Sequence, residues 1–210
     1  MEGTAAVAAA TDTDQGGGPG RDEAWDGDFA TSASPLGVGV IVWLASEVMF
    51  FAGLFAAYFV LRSDTDPWPP AGVDLDIPRA VLSTVLLLTS SATMHLAVRA
   101  AERGDHRRVG RWLAVTLTLG TLFLVNLGLE WAGLDFSLDT DAYGTSYYLI
   151  TGFHGLHVLG GLILMIAVAA LVLGRDSGAP VGPSVAVTGY YWHFVDVVWV
   201  FVFATLYLLQ

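Results

Sequence analysis

The sequence predicts an all-α polytopic membrane protein, a bundle of five transmembrane helices, and three observations carry that reading. Of its 210 residues 54% are apolar and 14% charged, and the charges gather in short gaps between long uncharged runs. The run from Ser146 to Arg175 is apolar over more than the ~20 residues that a helix needs to cross the hydrocarbon core. No charge interrupts it before Arg175, and four further runs of spanning length accompany it. Its polar content is patterned: His154 and His157 are three apart and so expected on one helix face, with Gly152, Gly155, Gly160 and Gly161 beside them. Polar side chains are costly in hydrocarbon and turn toward a bundle interior or a cavity. Small residues beside them let a second helix approach closely.

Composition removes several classes of function. The net charge is −11 and all nine basic residues are Arg, which offers no basic surface for nucleic acid. The absence of Cys excludes disulfides, iron–sulfur clusters, covalently attached haem and thiolate metal sites.

Residues 1–34 are rich in Ala, Gly, Thr and Asp, with GGGPG at 16–20, and form an expected disordered acidic tail that cannot bury a core. The tail lacks the basic start and apolar run of a secretory signal. The membrane domain is expected over 35–210, with spans near 35–61, 78–101, 112–131, 146–174 and 185–209. A proline-rich acidic loop follows the first span, an arginine-rich gap the second, and an acidic loop the third. RDSGAPVGP turns the chain into the fifth span.

Five spans put the termini on opposite sides, and positive loops remain cytoplasmic. With the N-terminus inside, Arg21, Arg99, Arg103, Arg107, Arg108, Arg111 and Arg175 are inside, and Arg62 and Arg79 outside. The expected protein is therefore a multi-pass membrane protein, N-terminus cytoplasmic and C-terminus outside. The arginines between spans two and three read as a topology signal first and an anionic-lipid site second. Trp68, Trp112, Trp131, Tyr147, Tyr148, Tyr190, Tyr191 and Trp192 lie near span ends, as interfacial belts do.

Depth brings the polar residues together. Glu47 is about twelve residues into span one, or ~18 Å, near the middle of a ~30 Å core. His157 is ~17 Å from the opposite face, and Asp196 ~14 Å into span five. A layer of Glu47, His157 and Asp196 follows, flanked by His154 and His193. A mid-membrane acid has to be protonated, paired or hydrated. For the two histidines of span four, hydrogen bonding between helices outweighs metal ligation, because haem needs histidines on facing helices. His95 and His193 are poorly matched to them in depth. A packing, proton or lipid role fits Glu47. Glu130, about a turn from the outer end of span three, is expected to snorkel to the interface. His106 reads as a solvated residue among arginines. A transporter is disfavoured, since no matching pair of spans is broken.

Three stretches, WLASEVMFFAG at 43–53, TGFHGLHV at 151–158 and YWHFVDVVW at 191–199, resemble subunit III of the haem–copper respiratory oxidases. They occur in the family's order over roughly 35–209, and AERGD at 101–105 is similar to the loop of short, five-helix bacterial members. The resemblance implies an accessory subunit of a proton-pumping cytochrome c oxidase, with no active site, redox centre or metal of its own. Haem and copper would lie in the partner catalytic subunit I and in subunit II. Such a subunit binds phospholipid, sustains proton uptake and protects the enzyme from turnover-linked inactivation. Subunit III of a quinol oxidase, or an accessory protein of nitric oxide reduction, is the alternative. By position, Glu47 matches the family's buried glutamate, His154 and His157 its paired histidines, His193 and Asp196 its C-terminal pair, and Glu130 a glutamate near a helix end. Leu127 stands where many members have Gln and Trp131 where they often have Tyr, which bears on hydrogen bonding around Glu130. Longer members carry two additional leading helices that wall a lipid cleft; a closed cleft here would need a wall from another subunit.

Overall fold

The structure is a computed structural model and describes residues 35–174 and 182–209. The expected tail at 1–34, Arg175 and the final residue lie outside them. Five membrane-length helices make up the described chain: α1 (Pro35–Asp64), α2 (Ile77–Glu102), α3 (His106–Ala132), α4 (Ala142–Gly174) and α5 (Gly182–Phe203), which runs on into a π-helical turn, Ala204–Leu208. No strand occurs among the described residues.

Aspartates set the starts of α2, α3 and α4. The Asp76 side chain accepts from the Arg79 amide at 3.0 Å, and Pro78 occupies the first turn of α2, where no amide hydrogen is needed. Asp105 likewise accepts from the Arg108 amide at 3.0 Å, so α3 begins at His106 rather than Trp112. The expected arginine-rich gap is thereby corrected. Arg99 belongs to α2, and Arg107, Arg108 and Arg111 to α3, leaving Arg103, Gly104 and Asp105 to reverse the chain. Gly104 makes that reversal with φ +69°, the left-handed region that suits glycine. The fourth helix also starts early, at Ala142 rather than Ser146, because Asp141 Oδ1 accepts from the Gly144 amide at 2.7 Å.

Helices α2, α3, α4 and α5 close a ring: α2 packs on α3 and α5, α4 packs on α3 and α5, and α1 lies outside against α4 and α5. In the ring the indole of Trp192 is wedged where Gly120 of α3 and Gly161 of α4 leave room. Polar bonds tie the helices as they do in membranes, where a lost partner is not replaced by water. Trp192 Nε1 donates to Ser90 Oγ at 2.9 Å and Trp199 Nε1 to Thr84 Oγ1 at 3.0 Å, both from α5 to α2. Thr93 and Thr116 pair at 2.8 Å, and Asn126 Nδ2 donates to Ser83 Oγ at 2.6 Å, between α2 and α3.

Three of the expected interfacial aromatics are core residues instead. Tyr147 and Trp192 are fully buried and Tyr191 is nearly so, because each has an interhelical polar partner for its hydroxyl or indole N–H. An aromatic residue near a span end serves either role, and the partner decides.

Candidate functional site

Glu47 and His157 meet. Glu47 Oε2 is 3.0 Å from His157 Nε2, joining α1 to α4. The other imidazole nitrogen, Nδ1, is 2.7 Å from the Phe153 carbonyl oxygen, one turn back on α4. A carbonyl only accepts, so Nδ1 carries a hydrogen. Nε2 then either accepts from a protonated Glu47 or, as part of an imidazolium, donates to a carboxylate. In both forms one proton lies between the two residues. Phe50 and Phe51 of α1 pack on the ring, with Phe51 edge-on at 4.9 Å between centroids. Tyr191 of α5 donates to the His157 carbonyl at 3.0 Å and stacks on Trp43 of α1 at 5.2 Å. Three helices therefore converge on the pair.

Asp196 does not join that layer. It is buried on α5, and its carboxyl oxygens have no hydrogen-bond partner; His193 Nδ1 is 3.7 Å away and pairs with Ser91 Oγ of α2 at 2.8 Å. His193 and Asp196 thus form a second polar group on the α2–α5 contact.

His154 departs from the expected common face. It is fully buried, lies edge-on to Phe123 at 5.6 Å and against Trp199 at 5.0 Å, and neither ring nitrogen has a partner. Three helical residues subtend about 300°, so the two side chains diverge by about 60°. On α4 that difference sends His157 to α1 and His154 into the ring. Interhelical hydrogen bonding, expected for both, holds for His157 alone.

Glu130 does not snorkel. It is 3% exposed, and Oε1 accepts from Tyr207 Oη at 2.7 Å and from Tyr147 Oη at 3.2 Å. The two phenols also meet at 3.1 Å, so α3, α4 and the π-helical end of α5 share one buried polar cluster. Two phenol donors remove the reason for the carboxyl to seek the interface. Leu127 is buried beside it, and Trp131 instead donates to Thr151 Oγ1 at 3.3 Å. Sequence reasoning missed Tyr147 as a partner by placing it in the belt, and Tyr207 carried no signal of its own.

Of the arginines, Arg99, Arg103, Arg108 and Arg111 line one pocket between α2 and α3. Arg107 is exposed on α3. His106 is half-buried rather than fully solvated. Among the described residues no group of three or more His, Asp or Glu side chains is arranged to hold a metal ion.

These features define a class: a multi-pass membrane bundle in which two intramembrane carboxyls, Glu47 and Glu130, are engaged by imidazole and phenol groups on neighbouring helices. The chain belongs to the cytochrome c oxidase subunit III family, whose model matches residues 21–210. That family is part of the haem–copper oxidases of the respiratory chain and aerobic electron transport. Similar proteins include the probable cytochrome c oxidase subunit 3 of Nocardia farcinica, 44% identical over 83% of this chain and 88% of that protein. The probable subunit 3 of Mycobacterium leprae is 43% identical over the same shares. Cytochrome c oxidase subunit 3 of Corynebacterium diphtheriae is 41% identical, again over 83% and 88%.

Proposed function

We propose that the chain is an accessory subunit, without redox centres, of a proton-pumping cytochrome c oxidase. It seats against catalytic subunit I, alongside subunit II, binds membrane phospholipid, supports proton uptake and prolongs the working life of the catalytic subunit. The placement of Glu47 carries this reading. Helix α1 is packed by α4 and α5 on one side, while Val42, Val48, Met49 and Val60 leave its remaining surface exposed. At the margin of that surface the side chains of Glu47 and His157 are 23% and 17% exposed. A polar pair so open is costly against acyl chains, and a neighbouring subunit, or water and lipid ordered at its edge, relieves the cost. The names of the relatives favour cytochrome c over quinol or nitric oxide chemistry.

The chain, tagged and extracted mildly from its native membrane, is expected to bring with it a haem-bearing subunit and one carrying binuclear copper. Stripped of them it is expected to show no Soret band. Co-purification with an oxidase lacking the copper subunit assigns it to quinol oxidation. Haem that stays with the isolated chain refutes the accessory reading.

The proposed orientation keeps the N-terminus cytoplasmic in a bacterial plasma membrane. Arg62 of α1 donates to the Leu209 carbonyl, which puts the end of α1 and the end of α5 on one side, and the arginines of the α2–α3 turn on the other. The first of these sides also carries the acidic α3–α4 loop. There the Ser137 hydroxyl, 2.6 Å from Asp139 Oδ1, holds that carboxyl below its usual range. Asp139→Cys and Arg107→Cys are expected to react with an impermeant thiol reagent from opposite faces, the former from outside. Reaction of both from one face rules the orientation out.

A further inference from the structure

The arginine-rich end of the α2–α3 hairpin holds a pocket of about 570 Å³, within the about 300–1,000 Å³ of small-ligand sites. Arg99, Arg103, Arg108 and Arg111 converge on it, over Leu96, Ala100, Trp112 and Val115. Four cations facing one space repel each other unless an anion joins them. The described residues supply little of that charge. Asp105 Oδ2 takes Arg108 Nε at 3.0 Å, while Arg99, Arg103 and Arg111 have no ion pair or hydrogen bond from their guanidinium groups among the described residues. The other acid of the turn, Glu102, lines a separate pocket with His95 and His193. Three uncompensated forks around one space suit a phosphate, whose oxygens accept the paired N–H groups of Arg.

The apolar part of the pocket narrows the chemistry. Leu96 lies one turn deeper than Arg99 on α2, and Val115 one turn deeper than Arg111 on α3, and they are 37% and 41% exposed. They continue the pocket toward the membrane interior as a track for an acyl chain. Trp112 stands between the charged mouth and that track, at the depth where indole favours the headgroup layer. We infer that this pocket binds one phosphate-bearing anion: the headgroup of an acidic phospholipid with a chain along Leu96 and Val115, or phosphate itself. The inference rests on the phospholipid binding proposed above and gives it a site on this chain's own surface; its test uses the isolated chain, so its failure leaves association with an oxidase untouched.

The test uses the delipidated full chain in detergent, with dioleoylphosphatidylglycerol or dioleoylphosphatidylcholine added and bound lipid counted by native mass spectrometry. Radiolabelled inorganic phosphate in equilibrium dialysis is the second arm. The wild type is expected to retain one phosphatidylglycerol about tenfold over phosphatidylcholine, equivalent to about 1.4 kcal/mol. The R99Q/R103Q/R111Q chain should lose that preference, whereas R107Q, which removes a neighbouring charge outside the pocket, should keep it. Should the triple variant not fold, R103Q alone is expected to lower the preference. Retention of phosphatidylglycerol assigns the lipid headgroup, and uptake of one inorganic phosphate per chain without lipid preference assigns the free anion; both support the site. Wild-type chain with neither property overturns it without recourse to any variant. Equal loss in R107Q and the pocket variants does so too, because it reduces the effect to surface charge.

Discussion

A Gly161→Leu chain is expected to lose its folded bundle in detergent under conditions where Gly53→Leu is indistinguishable from wild type. A Cβ on Gly161 would lie 2.8 Å from Trp192 Cε3 and Cζ3 and 3.2 Å from Tyr191 Cε1. Real contacts do not become so short, so one side has to move. Trp192 has nowhere to go: it is fully buried, its Nε1 is bonded to Ser90, and its far edge occupies the space left by Gly120. A Cβ on Gly120 would itself be 2.8 Å from Trp192 Cη2. The indole is therefore gripped from two helices. Overpacking by a few methylenes costs about 1–3 kcal/mol, and displacing the indole adds about 1 kcal/mol for the bond to Ser90. The expected sum is about 2–4 kcal/mol, large against ordinary stability. At Gly53, on the exposed side of α1, an added Cβ meets nothing within 4 Å. Size-exclusion profiles and thermal melting followed by tryptophan fluorescence make the comparison. Equal melting of the two variants means that α4 and α5 are not seated on one another as described.

The five helices were legible because uncharged runs of spanning length have few other fates. Helix ends were less so. The sequence around 99–111 looks like a polar gap because it is rich in arginine, yet Asp105 supplies a cap that lets α3 begin inside it. Charge marks where a chain leaves the hydrocarbon, not where its helix stops. Depth is a one-dimensional quantity and follows from counting residues at a fixed rise, which is why Glu47 and His157 could be matched from opposite faces. Rotation is different: it depends on which neighbour each helix has at each azimuth. His154 and His157 are separated by about 60° on α4, and that angle decides between burial in the ring and a partner on α1. Asp196 was allowed into the Glu47 layer by depth and kept from it by rotation. Glu130 failed for a further reason: its partners, Tyr147 and Tyr207, are 17 and 77 positions away. Nothing local distinguishes a tyrosine at the interface from one that donates inward.

Glu47→Gln is expected to leave the helices of the chain and their association with the catalytic subunit intact, and Glu47→Ala to weaken both. The hydrogen on His157 Nδ1 is fixed by the Phe153 carbonyl, so a neutral ring presents a bare Nε2 to α1. A glutamine amide can donate to that nitrogen in place of the acid, with the same length and nearly the same shape. Alanine leaves Nε2 without a partner at about 1–3 kcal/mol and opens a space beside Phe51. Since α1 is otherwise held by its packing on α4 and α5, by the Trp43–Tyr191 stack and by the Arg62 bond to the Leu209 carbonyl, the alanine loss weakens its attachment. The glutamine variant separates two roles that alanine merges. It keeps the bond, but an amide cannot pass on the single proton that Glu47 and His157 share. In the assembled complex, electron transfer is expected from the first turnover in both variants, because no redox centre is touched. Glutamine should show lowered proton uptake, and alanine additionally a faster decline of activity with each turnover. Oxygen consumption over successive turnovers, beside proton uptake in reconstituted vesicles, measures both. A glutamine variant that assembles normally and is inert from the first turnover would place Glu47 in the chemistry itself, and the accessory-subunit reading would fail.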